Sequence, residues 1–181
     1  MYQTIYSVGK VFQFSHLWLH LQKLVTMFSA DEEKNLRLGF WKKLDYLSRR
    51  LPNQQGRVKK WKGARTGVNG LDLRFDVSRG KVYVAIEINK KSSERRIYLF
   101  EKLNACRSII EEAYGAPLIW DSAFIKDNDI PVCRIYEVID GDILDEEKWD
   151  AMHEFMLDRM VKLELAYGEV QDFMHHEAFV G

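Results

Sequence analysis

The spacing of apolar residues divides the chain into helical and strand-like stretches. The run Ser29-Ala30-Asp31-Glu32 has the form of a capping box, and Leu36, Phe40, Leu44 and Leu47 then recur in steps of three and four, with Trp41 widening the stripe. This predicts a helix that stops near Leu51, ahead of Pro52. From Leu71 the period changes to two. Leu71, Leu73, Phe75 and Val77 alternate with Asp72, Arg74 and Asp76; after Ser78-Arg79-Gly80-Lys81, the residues Val82, Val84, Ile86 and Ile88 alternate with Tyr83, Ala85 and Glu87. One hairpin register aligns the two apolar sets, Val77 with Val82, Phe75 with Val84 and Leu73 with Ile86, and it places Asp72 opposite Glu87 on the other face.

The helical period returns from about Ser93 to Tyr114, with Ile97, Phe100, Leu103, Cys106, Ile110 and Ala113 as the predicted buried stripe. Gly115 suits a helix C-terminus, and Pro117 prevents continuation. A second strand pair is expected at Leu118 to Phe124 and Val132 to Ile139, turning at Lys126-Asp127-Asn128-Asp129. From near Asp145, Trp149, Met152, Met156, Met160, Leu163, Tyr167, Val170 and Met174 describe a long amphipathic helix with an interruption near Gly168. The order α-ββ-α-ββ-α predicts an α+β fold: two β-hairpins forming an antiparallel sheet, covered by long amphipathic helices. Residues 29–175 form the expected domain and 176–181 a tail. Residues 1–28 read as an extension, strand-like at Ile5, Tyr6 and Val8 and helical through Phe14, Leu17, Trp18, Leu21, Leu24 and Val25. Met27, just ahead of the first strong helix start, is a second candidate initiator.

Composition narrows the class. With 46% hydrophobic and 30% charged residues, the chain fits a folded globular domain rather than a disordered or fibrous one. Two cysteines, Cys106 and Cys133, make neither a disulfide scaffold nor a zinc pair. No apolar run reaches the ~18 residues of a membrane span, and no signal-peptide pattern is present, so a cytoplasmic protein without membrane attachment is expected. The 27 basic and 27 acidic residues cancel, but unevenly: residues 1–96 carry 20 basic against 8 acidic, and the remainder 7 against 19. Such a split serves either two faces that neutralise each other or one basic face for a polyanion.

Three groups of residues carry candidate chemistry. Between Tyr46 and Leu71 there are seven basic residues and no acidic one: Arg49, Arg50, Arg57, Lys59, Lys60, Lys62 and Arg65. Trp61 lies among them, so the segment combines phosphate-neutralising charge with a stacking ring. Its glycines do not form a nucleotide P-loop, and the plain alternative is a solvated loop facing the acidic 140–158 segment. The second group is Asp72, Asp76 and Glu87, whose strand positions are those of a metal-dependent nuclease. Asn89 stands where such a site needs lysine, and Arg74 is placed to neutralise the carboxylates, so an ordinary polar sheet face is the expectation. The third is the methionine stripe of the last helix, read as core, with a dimer seam or partner groove as the alternative. His175-His176 reads as tail, and neither metal nor cofactor is expected.

Several strings together resemble a known family. They are Phe40-Trp41, the Leu71-x-Leu73 strand, Val84-x-Ile86-x-Ile88, Leu99-Phe100-Glu101-Lys102-Leu103, Ile109 to Gly115, Leu118-Ile119-Trp120-Asp121, Arg134-Ile135 and Trp149. Over residues 30–175 the chain resembles the bacterial domain-of-unknown-function family 4268, whose members often follow a restriction-nuclease-like domain. The resemblance implies a nucleic-acid-processing setting, supplies no catalytic residue, and makes a stand-alone copy the expectation here. The functional expectation is a non-enzymatic accessory domain that binds nucleic acid, or a partner bound to it, through Arg57, Lys59, Lys60, Trp61, Lys62 and Arg65. A homodimerisation or protein-interaction module is the alternative, and a divergent metal-dependent nuclease at Asp72, Asp76 and Glu87 the second.

Overall fold

The computed structural model describes residues 29–51 and 66–176. Helix α1 (Ala30–Ser48) starts at the expected box: the Glu32 amide donates to Ser29 Oγ at 3.3 Å, and the Ser29 amide donates to the Glu32 carboxylate at 2.6 Å. Strands β1 (Leu71–Ser78) and β2 (Lys81–Ile88) pair in the predicted register, with Asp72 opposite Glu87 and Val77 opposite Val82. Arg79 and Gly80 both have positive φ (52° and 69°), the backbone of a two-residue hairpin turn whose twist matches that of the strands.

The expected 93–114 helix is two helices, α2 (Ser93–Asn104) and α3 (Arg107–Tyr114). Cys106, at φ −101° and ψ 14°, leaves the helical region and re-aims the second half. The buried positions are therefore Leu99, Phe100 and Leu103, then Ile110 and Tyr114. Ile97 and Ala113 face solvent and Cys106 is only half-buried, because one helical phase does not carry through the break. Gly115 ends α3 in the left-handed conformation as expected, at φ 83°. Strands β3 (Ile119–Ile125) and β4 (Pro131–Asp140), a 3-10 turn (Glu146–Lys148), α4 (Trp149–Gly168) and α5 (Gln171–His175) complete the described chain.

The sheet is antiparallel with order β1-β2-β4-β3, so the hairpins join through β2 and β4. One face (Leu71, Leu73, Val82, Val84, Ile86, Ile88, Cys133 and Ile135) packs in the same core as the helices. The methionine stripe lies inside that core: Met152, Met156, Met160 and Met174 are each at most 1% exposed. This rules out the stripe as a free groove or dimer seam, since its apolar area is already removed from water. Helix α1 lies against α4 through Phe40, which stacks at 4.3 Å on His153 and meets Trp149 edge-on at 5.5 Å. A Cβ at Gly39 would touch the Trp149 ring at 3.3 Å, which sets how closely the two helices approach. No described helix is long and apolar enough to cross a membrane.

His153 sits 3.1 Å from the Phe40 carbonyl, so its Nε2 carries the donated proton, while the buried Nδ1 has no partner. Burial pushes its pKa below the ordinary histidine value; Lys43 on α1 acts in the same direction, and the Phe40 carbonyl and Asp150 oppose it. As pH falls, the unfolded chain takes up this proton first, so stability is flat above the ordinary histidine pKa and declines below it. Urea denaturation between pH 5 and pH 8 is expected to show that decline, and His153→Gln to remove part of the slope.

Candidate functional site

The second face of the sheet carries the charged residues singled out from the sequence. Glu87 on β2 and Arg134 on β4 are direct cross-strand partners, and both are 0% exposed. Arg134 donates to Glu87 Oε2 from Nε at 2.8 Å and from Nη2 at 2.5 Å. Its Nη2 also reaches Asp76 at 2.8 Å. The other Glu87 oxygen receives Lys126 at 3.2 Å and Arg74 at 3.3 Å. Burial alone would raise the Glu87 pKa, but Arg134, Arg74 and Lys126 outweigh it and hold the carboxyl below its ordinary value.

No described helix covers these residues. The tip of the β3–β4 hairpin does. Phe124 pairs in the sheet with Val132, yet its ring meets Tyr83, which pairs with Val138 six residues further along β4. At about 3.3 Å per residue those positions lie roughly 20 Å apart along a straight strand. The hairpin therefore turns back over the sheet, bending at the bulge between Asp121 and Phe124. Asp127 at its tip reaches Arg79 in the β1–β2 turn at 2.8 Å. Phe124, Tyr83 and Tyr136 form an edge-to-face trio with centroids 5.5–5.8 Å apart. The Arg134 guanidinium lies 4.1 Å from the Phe124 ring centre; its Nη1 has no hydrogen-bond acceptor.

This arrangement neutralises the carboxylates. Asp72, Asp76 and Glu87 do share a face, but Asp72 accepts from the Asn89 amide at 3.0 Å and the other two are held by cations. Among the described residues no three His, Cys, Asp or Glu side chains converge as metal ligands. Arg74 acts as expected; the larger contribution comes from Arg134. Its sequence signal is a lone arginine in the apolar string Val132-Cys133-Arg134-Ile135.

Charge of the opposite character collects at the sheet end where β1 begins and β2 ends. Arg57, Lys59, Lys60, Trp61, Lys62 and Arg65 lie outside the described residues; the flanking Arg49, Arg50 and Thr66 do not. Thr66 fixes the lead-in to β1: its Oγ1 donates to the Leu71 carbonyl at 2.5 Å and accepts from the Val68 amide at 3.2 Å. The Asn89 amide then donates to the Gly70 carbonyl at 2.8 Å. Gly70 has φ 82°, and a Cβ there would fall 2.8 Å from the Lys90 side chain. Gly70 thus lies against the start of a second basic run, Lys90, Lys91, Arg95 and Arg96, which sequence reading passed over. Four basic residues within positions 90–96 were the available signal. Arg96 is used structurally, donating to the carbonyls of Lys90 and Lys91 at 2.8 and 3.1 Å. Lys91 and Arg95 are exposed, and neither they nor Lys90 has a carboxylate partner among the described residues. The acidic 140–158 segment meets other bases: Asp140 pairs with Lys81, Asp145 with Lys148, Asp150 with Lys43, and Asp158 with Arg159 and Lys162.

The histidine assigned to the tail is part of this end. His175 is half-buried on α5, and its Nε2 donates to the Thr66 carbonyl at 2.9 Å. A one-turn helix following α4 brings it back to the lead-in of β1, a placement that its position near the C-terminus concealed.

With this geometry in place, the comparison with known families is direct. The DUF4268 family, a domain of unknown function, matches residues 36–171. The chain belongs to that family. No curated protein and no solved structure matches it. The DUF4268 region spans every described element from within α1 to the start of α5, and so contains the Glu87–Arg134 pair and the Lys90–Arg96 run.

Glu87→Gln is expected to destabilise the fold by roughly 3–5 kcal/mol, because it removes the charge facing a fully buried guanidinium. Chemical denaturation measures this. Adding Arg134→Met to that variant is expected to recover part of the loss, a non-additive cycle diagnostic of the pair.

Proposed function

We propose that this DUF4268 domain is a non-enzymatic module that binds nucleic acid through the basic segment from Arg49 to Arg65, joined by Lys90, Lys91 and Arg95. One observation carries the reading: Lys90 packs on Gly70 at the sheet end where β1 begins, and the exposed Lys91 and Arg95 follow it in the chain. Its support is electrostatic. Lys90, Lys91 and Arg95 have no carboxylate partner among the described residues. Within the acidic 140–158 segment, Asp140, Asp145 and Asp150 already hold Lys81, Lys148 and Lys43. Lysines and arginines free of carboxylates lose little when they exchange water for phosphate, and each phosphate neutralised releases a counterion. In this reading Arg57, Lys59, Lys60, Lys62 and Arg65 contact phosphates and Trp61 stacks on a base. The buried, neutralised state of Glu87 favours binding without cleavage.

A protein partner is the second reading, favoured by the apolar edge of the sheet. Ile119 and Ile125 on β3 and Ile130 in the hairpin tip are 45–50% exposed. Exposed apolar residues along an edge strand suit contact with another chain.

Fluorescence anisotropy with labelled duplex DNA, single-stranded DNA and RNA separates the two. Binding is expected, and between ~50 and ~200 mM salt it should weaken at least tenfold, as several phosphate contacts require. Lys90→Glu with Lys91→Glu, and separately Lys59→Glu with Lys60→Glu and Lys62→Glu, should each weaken it and flatten the salt dependence. Unchanged binding in both sets sinks the proposal. No binding by the wild-type chain at low salt, with a dimer in light scattering, turns the reading to the protein partner.

A further inference from the structure

Helix α1 is attached to the molecule along one stripe. It takes no part in the sheet, and of its 19 residues only Phe40, Leu44 and Ser48 are buried. Phe40 is its anchor on α4. The ring stacks on His153 at 4.3 Å and meets Trp149 edge-on at 5.5 Å. The carbonyl of the same residue accepts from His153 Nε2 at 3.1 Å. Lys43, one turn on, reaches Asp150 at 2.6 Å, with both side chains exposed. The imidazole is thus the polar centre of this contact. It is 1% exposed, its N–H is spent on α1, and its Nδ1 has no hydrogen-bond partner among the described residues.

Such a place suits only the neutral ring. A second proton would go to Nδ1, where nothing accepts it, and would put a charge inside an apolar contact. The Phe40 face attracts a cation far less than the water that the cation would give up. Two charged groups face the ring, one from each helix: Lys43 on α1 repels an imidazolium, and Asp150 on α4 attracts it. Lifting α1 gives the ring to water and breaks no strand pairing. We infer that α1 is an acid-released cover: protonation of His153 detaches it from α4, uncovering the Trp149–His153 face, while the sheet and the other helices stay folded. The acid loss of stability described above belongs to unfolding of the whole chain; the cover opens before that.

Native-state hydrogen exchange of the full chain in low urea, at about pH 7.5 and about pH 5 with rates corrected for intrinsic exchange, tests this. At the lower pH the α1 amides from Phe40 to Leu44 are expected to be at least about tenfold less protected than those of β2 and to respond less to urea, as a local opening does. Between the two pH values α1 protection should fall roughly five- to thirtyfold; about thirtyfold is the ceiling for one proton at ~1.5 pH units below the ordinary histidine pKa. His153→Gln keeps an N–H and cannot take the charge, so its α1 protection should agree at both pH values to within about twofold. Lys43→Met and Asp150→Asn lose the same exposed ion pair but move the histidine in opposite directions. The fall should shrink in Lys43→Met and persist undiminished in Asp150→Asn. Amides of α1 that exchange together with β2, with the same urea response, overturn a separate detachment. Equal α1 protection at both pH values in the wild type overturns the acid trigger. An undiminished fall in His153→Gln, or its loss in both Lys43→Met and Asp150→Asn, overturns His153 as that trigger. If His153→Gln does not fold, the last two variants decide the matter.

Discussion

The pairing of Glu87 with Arg134 is the constraint on which the rest of the sheet depends. It sits at the seam between β2 and β4, where the two hairpins join. Each hairpin is held by its own turn, but nothing local says how one should lie against the other. Two opposite charges that must meet away from water supply that information. A slip of one residue along the seam would turn one of the pair toward Val84, Ile86 and the methionines, where no partner waits. The pair also gives the β3–β4 hairpin its landing site, since Lys126 and Phe124 close over the same two residues. One ion pair therefore selects a register, orders a strap and removes the carboxylate from chemistry.

On the opposite face the sheet is held by shape. Methionines in α4 and branched residues in β2 fill the space between helix and sheet, while α1 joins through Phe40 and the stacked His153. His153 is a polar group buried among these apolar residues. The two faces thus divide the labour of folding: the apolar side supplies most of the burial, and the charged side supplies uniqueness.

Much of this was legible in the residues. The cap at Ser29, the hairpin register from Leu71 to Ile88, the Gly115 terminus and the α4 stripe follow from local rules, because each signal lies within a few residues of its consequence. The α+β class and the family followed from the same strings. What escaped reading is non-local. Arg134 meets Glu87 across 47 positions and His175 meets Thr66 across 109, separations at which no periodicity connects two side chains. The break at Cys106 was hidden because Phe100, Leu103, Cys106 and Ile110 keep helical spacing across it. The candidate site divided in the same way. The basic segment was evident as a run of charge, whereas the shorter run from Lys90 to Arg96 was legible but passed over, and only the hairpin shows Lys90 beside Gly70.

The burial of the four core methionines has a chemical consequence. Each thioether is a target for peroxide, and oxidation makes it polar and larger. In the closed molecule Met152, Met156, Met160 and Met174 are shielded from such reagents. Oxidant reaches them only when α4 and α5 part from the sheet, and a sulfoxide formed in that instant no longer fits the space it left. Oxidative damage would thus convert a transient opening into a lasting one, recording in covalent form how often this core comes apart.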